Sequence, residues 1–234
     1  MHRQVRYNVN RVYNRIKLLS IELGIVLVAF FISFFLMVFV IRRIFLYKKE
    51  VLDHKVFDYL GNFVSDATTS VMNFFTFFGG QYFLIPANLL LILWAFFIKK
   101  DKWFGIRTCA VSISSLVLMF ALKQFFQRPR PLTPLLQEAK GLSFPSGHAF
   151  MSFAFFGLLI YVIYKNVRTK WLKIALTILL LIIILMIGAS RVYLRVHYAS
   201  DVLAGFSMGL MWLVISLWVI HIIEQHKSKL PSVQ

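Results

Sequence analysis

The 234-residue chain combines an apolar composition with a strongly basic charge. Hydrophobic residues make up 59% of the chain and charged residues only 15%, yet the net charge is +17. Soluble domains contain about 45–50% apolar and about 25% charged residues, so a single water-soluble core is excluded. Two explanations for the charge stay open: anchoring of membrane helices on the cytoplasmic side, and a site for an anionic substrate.

The N-terminal region consists of a basic segment followed by a long apolar run. Five cations precede residue 18, the run covers residues 18–41, and Arg42 and Arg43 follow it. A signal peptide core is about 7–15 residues long and ends at a small-residue cleavage site. The run is longer than that, so we expect a retained membrane anchor.

Six apolar runs are long enough to cross a bilayer, for which a helix needs about 20 residues. Strands of an outer-membrane barrel would be about ten residues long with alternating polarity, which these runs lack. The sequence therefore predicts an all-α integral membrane protein, with residues 1–234 forming one domain. The expected spans are about 18–41, 82–98, 108–126, 147–164, 172–189 and 202–223.

Residues 50–80, between the first two expected spans, are too polar to form a further span. Apolar residues recur there every three or four positions from Phe57 to Phe78, with Asp58 and Asp66 among the polar residues between them. This spacing predicts an amphipathic helix in the membrane interface that ends at Gly79 and Gly80. An ordinary helix packed on the bundle is an equally weighted alternative.

Lysine and arginine residues are more numerous on the side of the two termini than on the opposite side. By the positive-inside rule, both termini are expected in the cytoplasm. Six of the eleven cations on the other side lie in two tight groups, at residues 123–130 and 191–195, with Lys140 between them. Anchoring does not explain these groups. A basic arm with interleaved aromatic residues is missing, so nucleic acid is not an expected partner.

The first basic group lies at the outer end of the third span. Lys123 interrupts an otherwise apolar run, where a cation costs about 2.5–3.5 kcal/mol on insertion scales. By itself, it could be a lysine that extends its amine to the interface. Pro129 and Pro131 end the helix, which puts Arg128 and Arg130 where the chain leaves the membrane.

The second polar segment, residues 143–148, opens the fourth span. Ser146 is suited to cap that helix, and Gly147 allows backbone N–H groups at the helix start to approach an anion. His148 then lies in the first helical turn. Taken alone, such a histidine is usually an ordinary interfacial residue.

The third segment, residues 190–201, joins the last two spans. His197 and Asp201 are four residues apart, so on a helix they share a face and the carboxylate can accept a hydrogen bond from the imidazole. This contact fixes the tautomer and leaves the other ring nitrogen free as a nucleophile. Most pairs with this spacing are structural, so the pair alone does not show whether the two residues are catalytic.

Together these segments read K-x6-R-P, P-S-G-H and S-R-x5-H-x3-D. The chain resembles the type 2 phosphatidic acid phosphatase family, whose signature has these three parts in this order. The resemblance implies a nucleophile at His197, an orienting carboxylate at Asp201 and a general acid at His148. It also implies a cradle for the phosphoryl oxygens, which consists of Lys123, Arg130, Ser146, Gly147 and Arg191.

The resemblance implies a membrane lipid phosphatase in a bacterial inner membrane, with its active site on the periplasmic or extracellular side. It would remove the terminal phosphate of a lipid phosphate or diphosphate, with undecaprenyl diphosphate or phosphatidylglycerol phosphate favoured. Asp201 is the only acidic residue in the three segments, so catalysis without a metal or other cofactor is expected. A lipid phosphotransferase and a non-catalytic transporter or binding protein are the alternatives, and the oligomeric state is open.

Arg128 and Arg195 lie outside the family pattern. One interpretation is that they contact lipid head groups or carry solvated charge. A sharper hypothesis is that one of them binds the second phosphate of a diphosphate substrate, because both are adjacent in sequence to the expected cradle.

Overall fold

A computed structural model describes residues 23–48, 50–132, 134–135 and 141–229. All regular structure in these ranges is helical, as expected from the sequence. A π-helical turn, Arg42–Leu46, forms the end of the first helix, and another, Trp94–Ile98, follows the fourth. The helices are α1 (Leu23–Leu46), α2 (Val51–Gly61), α3 (Asp66–Phe78), α4 (Gln81–Leu93), α5 (Lys102–Phe126), α6 (Gly147–Asn166), α7 (Lys170–Tyr193) and α8 (Ala199–Lys229).

Six helical stretches within the described residues are long and apolar enough to cross a membrane. Five of them are α1, α5, α6, α7 and α8, and the sixth is Asp66–Ile98. Most extend beyond the apolar runs because polar residues form their ends; α5, for example, starts after Asp101, whose carboxylate accepts from the Phe104 N–H at 2.9 Å. Residues 18–22 of the first expected span lie outside the described residues.

The segment 50–80 is divided into two helices rather than one. α2 ends at Gly61, and Ser65 caps α3 by accepting a hydrogen bond from the Thr68 N–H at 3.2 Å. Only Gly79 and Gly80 separate α3 from α4, so the second candidate span begins at Asp66 instead of residue 82. α3 packs along α7, where Thr69 Oγ1 lies 3.0 Å from the Tyr193 hydroxyl.

α6 lies in the middle of the bundle and packs against α5, α7 and α8. Two glycines one helical turn apart allow α8 to approach it closely. A Cβ at Gly205 would lie 2.8 Å from the Ser146 carbonyl oxygen, and one at Gly209 would lie 2.9 Å from the Phe150 carbonyl oxygen. Such spacing of small residues is typical of close helix pairs in membranes. This contact brings the start of α6 against the start of α8.

Candidate active site

The three polar segments meet at one end of the bundle. The backbone N–H of Ser143 donates to the Arg128 carbonyl at 2.8 Å, which joins the second segment to the first. The N–H of Ser146 donates to the Asp201 carbonyl at 3.0 Å, which joins it to the third. Below this junction, the rings of Phe45, Phe126 and Phe144 pack against one another.

The start of α6 has the capping geometry expected from the sequence. Ser146 is the N-cap residue, and its hydroxyl accepts from the Ala149 N–H at 3.5 Å. Gly147 faces α5, because a Cβ placed on it would lie 3.8 Å from Lys123 Cε. The free N–H groups of α6 therefore open next to the lysine side chain, a favourable position for an anion.

His197 is buried, with only 2% of its surface exposed. Its Nε2 lies 3.4 Å from Nη1 of Arg130. Arginine can only donate, so Nε2 must be the acceptor and the proton of the neutral ring resides on Nδ1. The nitrogen with the free lone pair is therefore the one that faces the cations.

The contact of His197 with Asp201 runs mainly through Ser143. Nδ1 lies 3.7 Å from Asp201 Oδ2 but 3.4 Å from the Ser143 hydroxyl oxygen, and that hydroxyl donates to the same Oδ2. The two residues do not share a helical face, because His197 lies in the turn before α8. The Tyr198 N–H donates to Asp201 Oδ2 at 3.0 Å and holds this turn in place.

Burial lowers the pKa of His197 to about 4. Asp201 opposes this effect, whereas the charges of Arg130 and Arg191 add to it. The ring is therefore neutral at physiological pH, which is the state a nitrogen nucleophile requires.

The three cations predicted to bind phosphate are held by neutral groups. Lys123 Nζ donates to the Leu142 carbonyl at 2.6 Å, and Arg191 Nη1 donates to the Thr76 hydroxyl at 2.6 Å. Arg130 donates to two carbonyl oxygens, those of Val196 at 2.8 Å and Gly141 at 3.1 Å. Within the described part of the chain, none of the three forms an ion pair with a carboxylate. Their combined charge thus favours a bound anion.

His148 lies on the first turn of α6, against the turn between α3 and α4. A Cβ at Gly79 would lie 3.0 Å from His148 Cδ2, so this glycine makes room for the ring. His148 is half-buried, whereas His197 is almost completely buried. Arg191 and His197 both act on it electrostatically. The two histidines therefore belong to one site.

Arg128 is neither solvated nor free to contact head groups. It is 4% exposed, and its guanidinium donates to Asp201 at 2.6 Å and to Asp53 at 3.0 Å. Burial alone would lower the pKa of Arg128, but these carboxylates raise it above the ordinary value. The expectation of a solvated charge fails because the chain that leaves α5 after Phe126 places Arg128 next to two buried acids. Arg195, by contrast, is partly exposed beside Gly61.

Sequence reasoning missed three residues of this site: Ser143, Thr76 and Asp53. Ser143 lies within the second polar segment, three residues before Ser146, so its position was a usable signal. Thr76 and Asp53 belong to segment 50–80, for which the sequence predicts an amphipathic helix, with no role for either residue. Their residue types give no signal of burial, and their partners are distant in sequence.

Known proteins share parts of this sequence and of this fold. A sequence model of the PAP2 superfamily matches residues 104–224. Phosphatidylglycerophosphatase B of Bacillus subtilis is 35% identical over 144 residues, which cover 60% of this chain and 70% of that protein. An undecaprenyl-diphosphatase of Sulfolobus acidocaldarius is 30% identical over 146 residues, covering 59% and 64%. The crystal structure of the transmembrane PAP2-type phosphatidylglycerolphosphate phosphatase from Bacillus subtilis has a TM-score of 0.72 at 25% identity, covering 86% of this chain and 97% of that one.

The family model covers all three polar segments, and the structural match covers most of the helical bundle. The resemblance inferred from the motifs is thereby confirmed. The chain belongs to the PAP2 superfamily and is an integral membrane phosphatase of that family.

Proposed function

We propose that the protein hydrolyses the terminal phosphate of a lipid phosphate or diphosphate through a phosphohistidine at His197. The observation that supports this most directly is the buried neutral imidazole of His197, whose Nε2 faces Arg130 in a group of cations without carboxylate partners among the described residues. A neutral nucleophile surrounded by positive charge suits attack on an anionic phosphoryl group.

In the first step, the Nε2 lone pair attacks phosphorus and the bond from phosphorus to the lipid oxygen breaks. The leaving oxygen keeps the electron pair and takes a proton from His148. The ring of His197 becomes positively charged, and Asp201 offsets that charge through the Ser143 hydroxyl. In the second step, water attacks phosphorus, gives a proton to His148, and the phosphorus–nitrogen bond breaks.

Phosphoryl transfer requires stabilisation of charge on the non-bridging oxygens. Lys123, Arg130 and Arg191 are the side chains we assign to this task. Arginine presents paired donors that match phosphate oxygens. The Ser146 hydroxyl and the Gly147 N–H at the start of α6 complete the cradle. Because all of these groups belong to the protein, we propose that the reaction needs no metal ion.

Two relatives suggest the substrate class. Their names assign them phosphatidylglycerol phosphate and undecaprenyl diphosphate, so these two lipids are the favoured candidates. The lipid tails would stay in the bilayer while the head group enters the bundle end. We place the protein in the bacterial inner membrane, with the site on the periplasmic or extracellular side, since the Lys and Arg bias favours cytoplasmic termini.

The decisive experiment measures phosphate release from a panel of lipid phosphates in detergent, with a chelator present. We expect His197→Ala to abolish release and His148→Ala to slow it by about 10²–10⁴, the contribution of a general acid. His54→Ala, an exposed histidine on α2, is the matched control and should retain full activity. Full activity of His197→Ala would exclude it as nucleophile, and transfer of phosphate to another lipid with little free phosphate would indicate a phosphotransferase.

Orientation is tested by cysteine labelling in intact cells, in a Cys109→Ser background. Leu135 lies at the active-site end, where its N–H donates to the Leu194 carbonyl at 3.1 Å, and the exposed Arg168 lies between α6 and α7 at the other end. An impermeant thiol reagent should label Leu135→Cys and spare Arg168→Cys. The opposite pattern would put the active site in the cytoplasm.

A diphosphate substrate would require an additional cation near the cradle. Arg128 is engaged by buried acids, which leaves Arg195 as the candidate for the second phosphate. Arg195→Ala should then lower activity on a lipid diphosphate more than on the matching monophosphate. An equal loss on both lipids would show that Arg195 does not bind the second phosphate.

A further inference from the structure

Asp53 is a buried acid outside the three polar segments. It lies on α2 and is only 2% exposed, whereas the neighbouring residues His54 and Leu52 are exposed. A buried carboxylate is costly unless hydrogen bonds and an opposite charge compensate it. The partners of Asp53 therefore indicate what it does.

Asp53 is attached to the start of α8. Its Oδ1 accepts from the Ser200 backbone N–H at 2.9 Å, and its Oδ2 accepts from the Ser200 hydroxyl at 2.6 Å. Ser200 directly precedes Asp201, the acid assigned to orient the nucleophile. Asp53 thus fixes the backbone from which the Asp201 side chain extends.

Arg128 connects the two acids directly. Its Nη2 donates to Asp53 Oδ2 and to Glu50 Oε1, both at 3.0 Å, and its Nη1 donates to Asp201 Oδ1 at 2.6 Å. The guanidinium also lies 3.9 Å from the centroid of the Tyr198 ring, which holds it from one face. Two nitrogens of one planar group therefore connect Asp53 with Asp201, a geometry that lysine cannot reproduce.

The contacts of Asp201 are divided between its two oxygens. Oδ1 accepts from Arg128, while Oδ2 accepts from Ser143 and the Tyr198 N–H and faces His197. Without Arg128, the orientation of the carboxylate would depend on the two donors to Oδ2 alone.

We propose that Asp53 and Arg128 form a positioning pair that orients the Asp201 carboxylate for its action on His197. This inference rests on the proposed function, because it assigns the pair a part in the same reaction. It also gives α2 a part in the proposed reaction, because Asp53 on this helix binds Arg128. A buried ion pair adds little net stability compared with apolar residues of similar size, so stability alone does not account for this arrangement.

The test compares Asp53→Asn with Asp58→Asn, an exposed acid on the same helix. The measurements are kcat and KM for lipid phosphate, the inhibition constant of inorganic phosphate, and the thermal unfolding midpoint in detergent. Inorganic phosphate probes the cradle without the chemical step.

We expect Asp53→Asn to lower kcat by about 10- to 100-fold, the scale of a small misplacement near the chemistry. KM and the inhibition constant of inorganic phosphate should change by less than about threefold, which is less than the loss of one charge-assisted hydrogen bond would cause. Asp58→Asn should match the wild type.

A second pair of variants covers the case in which Asp53→Asn does not fold. Asp53→Asn/Arg128→Gln removes one positive and one negative charge, so the net charge of the cluster stays the same, although Asp201 and Glu50 lose the arginine as a partner. We expect this variant to fold with the same loss of kcat. Arg128→Lys keeps the positive charge but lacks the two donor nitrogens of the guanidinium. It should also lower kcat while leaving the inhibition constant of inorganic phosphate unchanged.

Two results would overturn the inference. The first is a kcat within twofold of the wild type in the double variant or in folded Asp53→Asn. The second is a fall in kcat matched by equal weakening of phosphate inhibition, which would indicate general loosening of the site. Phosphate release by the wild type and Asp58→Asn tests the proposed function in the same assay, so the two failures are distinguishable.

Discussion

The hydroxyl oxygen of Ser143 lies 3.4 Å from Nδ1 of His197, on the side of the ring turned away from Arg130. The same hydroxyl donates to Asp201 Oδ2, so it accepts from the ring and passes the interaction on to the carboxylate. A serine therefore mediates between the histidine and the acid, which are 3.7 Å apart.

Ser143→Ala should lower kcat by about tenfold, the value of one hydrogen bond of about 1–1.5 kcal/mol. KM should change little, because Ser143 does not belong to the proposed phosphate cradle. Steady-state phosphate release measures both constants. Ser152→Ala is the control, since this equally buried hydroxyl donates only to the Ala149 carbonyl of its own helix. A kcat equal to the wild type would show that Asp201 acts on the ring without Ser143.

The sequence was sufficient for the helical class. Its three motifs meet at one end of the bundle because they place charges where apolar spans end. The reasoning about His197 and Asp201 identified the correct partners but the wrong local geometry. A four-residue spacing suggested a shared helical face, whereas the Tyr198 N–H bonds to Asp201 and holds His197 in a turn.

The environment of Arg128 and Asp53 could not be predicted for a different reason. Their contact joins residues 75 positions apart, and the choice between a solvated and a buried charge depends on how α2 packs against α8. The periodicity of α2 indicates which face is apolar, but Asp53 lies on the same face as the buried Phe57 and the half-buried Val56. The burial of Asp53 therefore depends on the packing of α2 against α8, which the local sequence does not show.

Thr76→Val should weaken phosphate binding. The Thr76 hydroxyl accepts from Arg191 Nη1 at 2.6 Å, so valine removes the acceptor while keeping the shape of the side chain. We expect KM and the inhibition constant of inorganic phosphate to rise by about three- to tenfold, with a smaller effect on kcat, because one hydrogen bond that directs a cradle cation is lost.

Thr177→Val is the matched control for Thr76→Val. Thr177 lies on α7, as does Arg191, and its buried hydroxyl makes no hydrogen bond in the described structure. Its replacement should leave phosphate inhibition unchanged. An equal rise in the inhibition constant for both variants would mean that Thr76 affects the bundle in general rather than Arg191.

Gly205→Ala should destabilise the protein and lower its activity together. A Cβ at this position would lie 2.8 Å from the Ser146 carbonyl oxygen and 2.9 Å from the Ala149 Cβ, so α8 must move away from α6. Overpacking of this kind costs about 1–3 kcal/mol, which lowers the Tm by several degrees. Gly24→Ala is the control, because a Cβ there meets nothing within 4 Å. Thermal unfolding in detergent should distinguish the two variants, and equal midpoints would contradict the close approach of α6 and α8.

The buried imidazole of His197 should make the protein less stable in acid. Its pKa is lowered from 6.5 to about 4 in the folded state, so between these values the unfolded chain binds a proton that the folded chain does not. Falling pH therefore favours unfolding across this window, and the effect stops below about pH 4, where both states are protonated. The contribution amounts to about 3 kcal/mol if each pKa unit is worth about 1.4 kcal/mol.

His197→Gln does not titrate, so the Tm of the wild type should fall relative to this variant between about pH 7 and pH 4.5. Parallel Tm curves for the two proteins would show that His197 titrates near its ordinary pKa in the folded state.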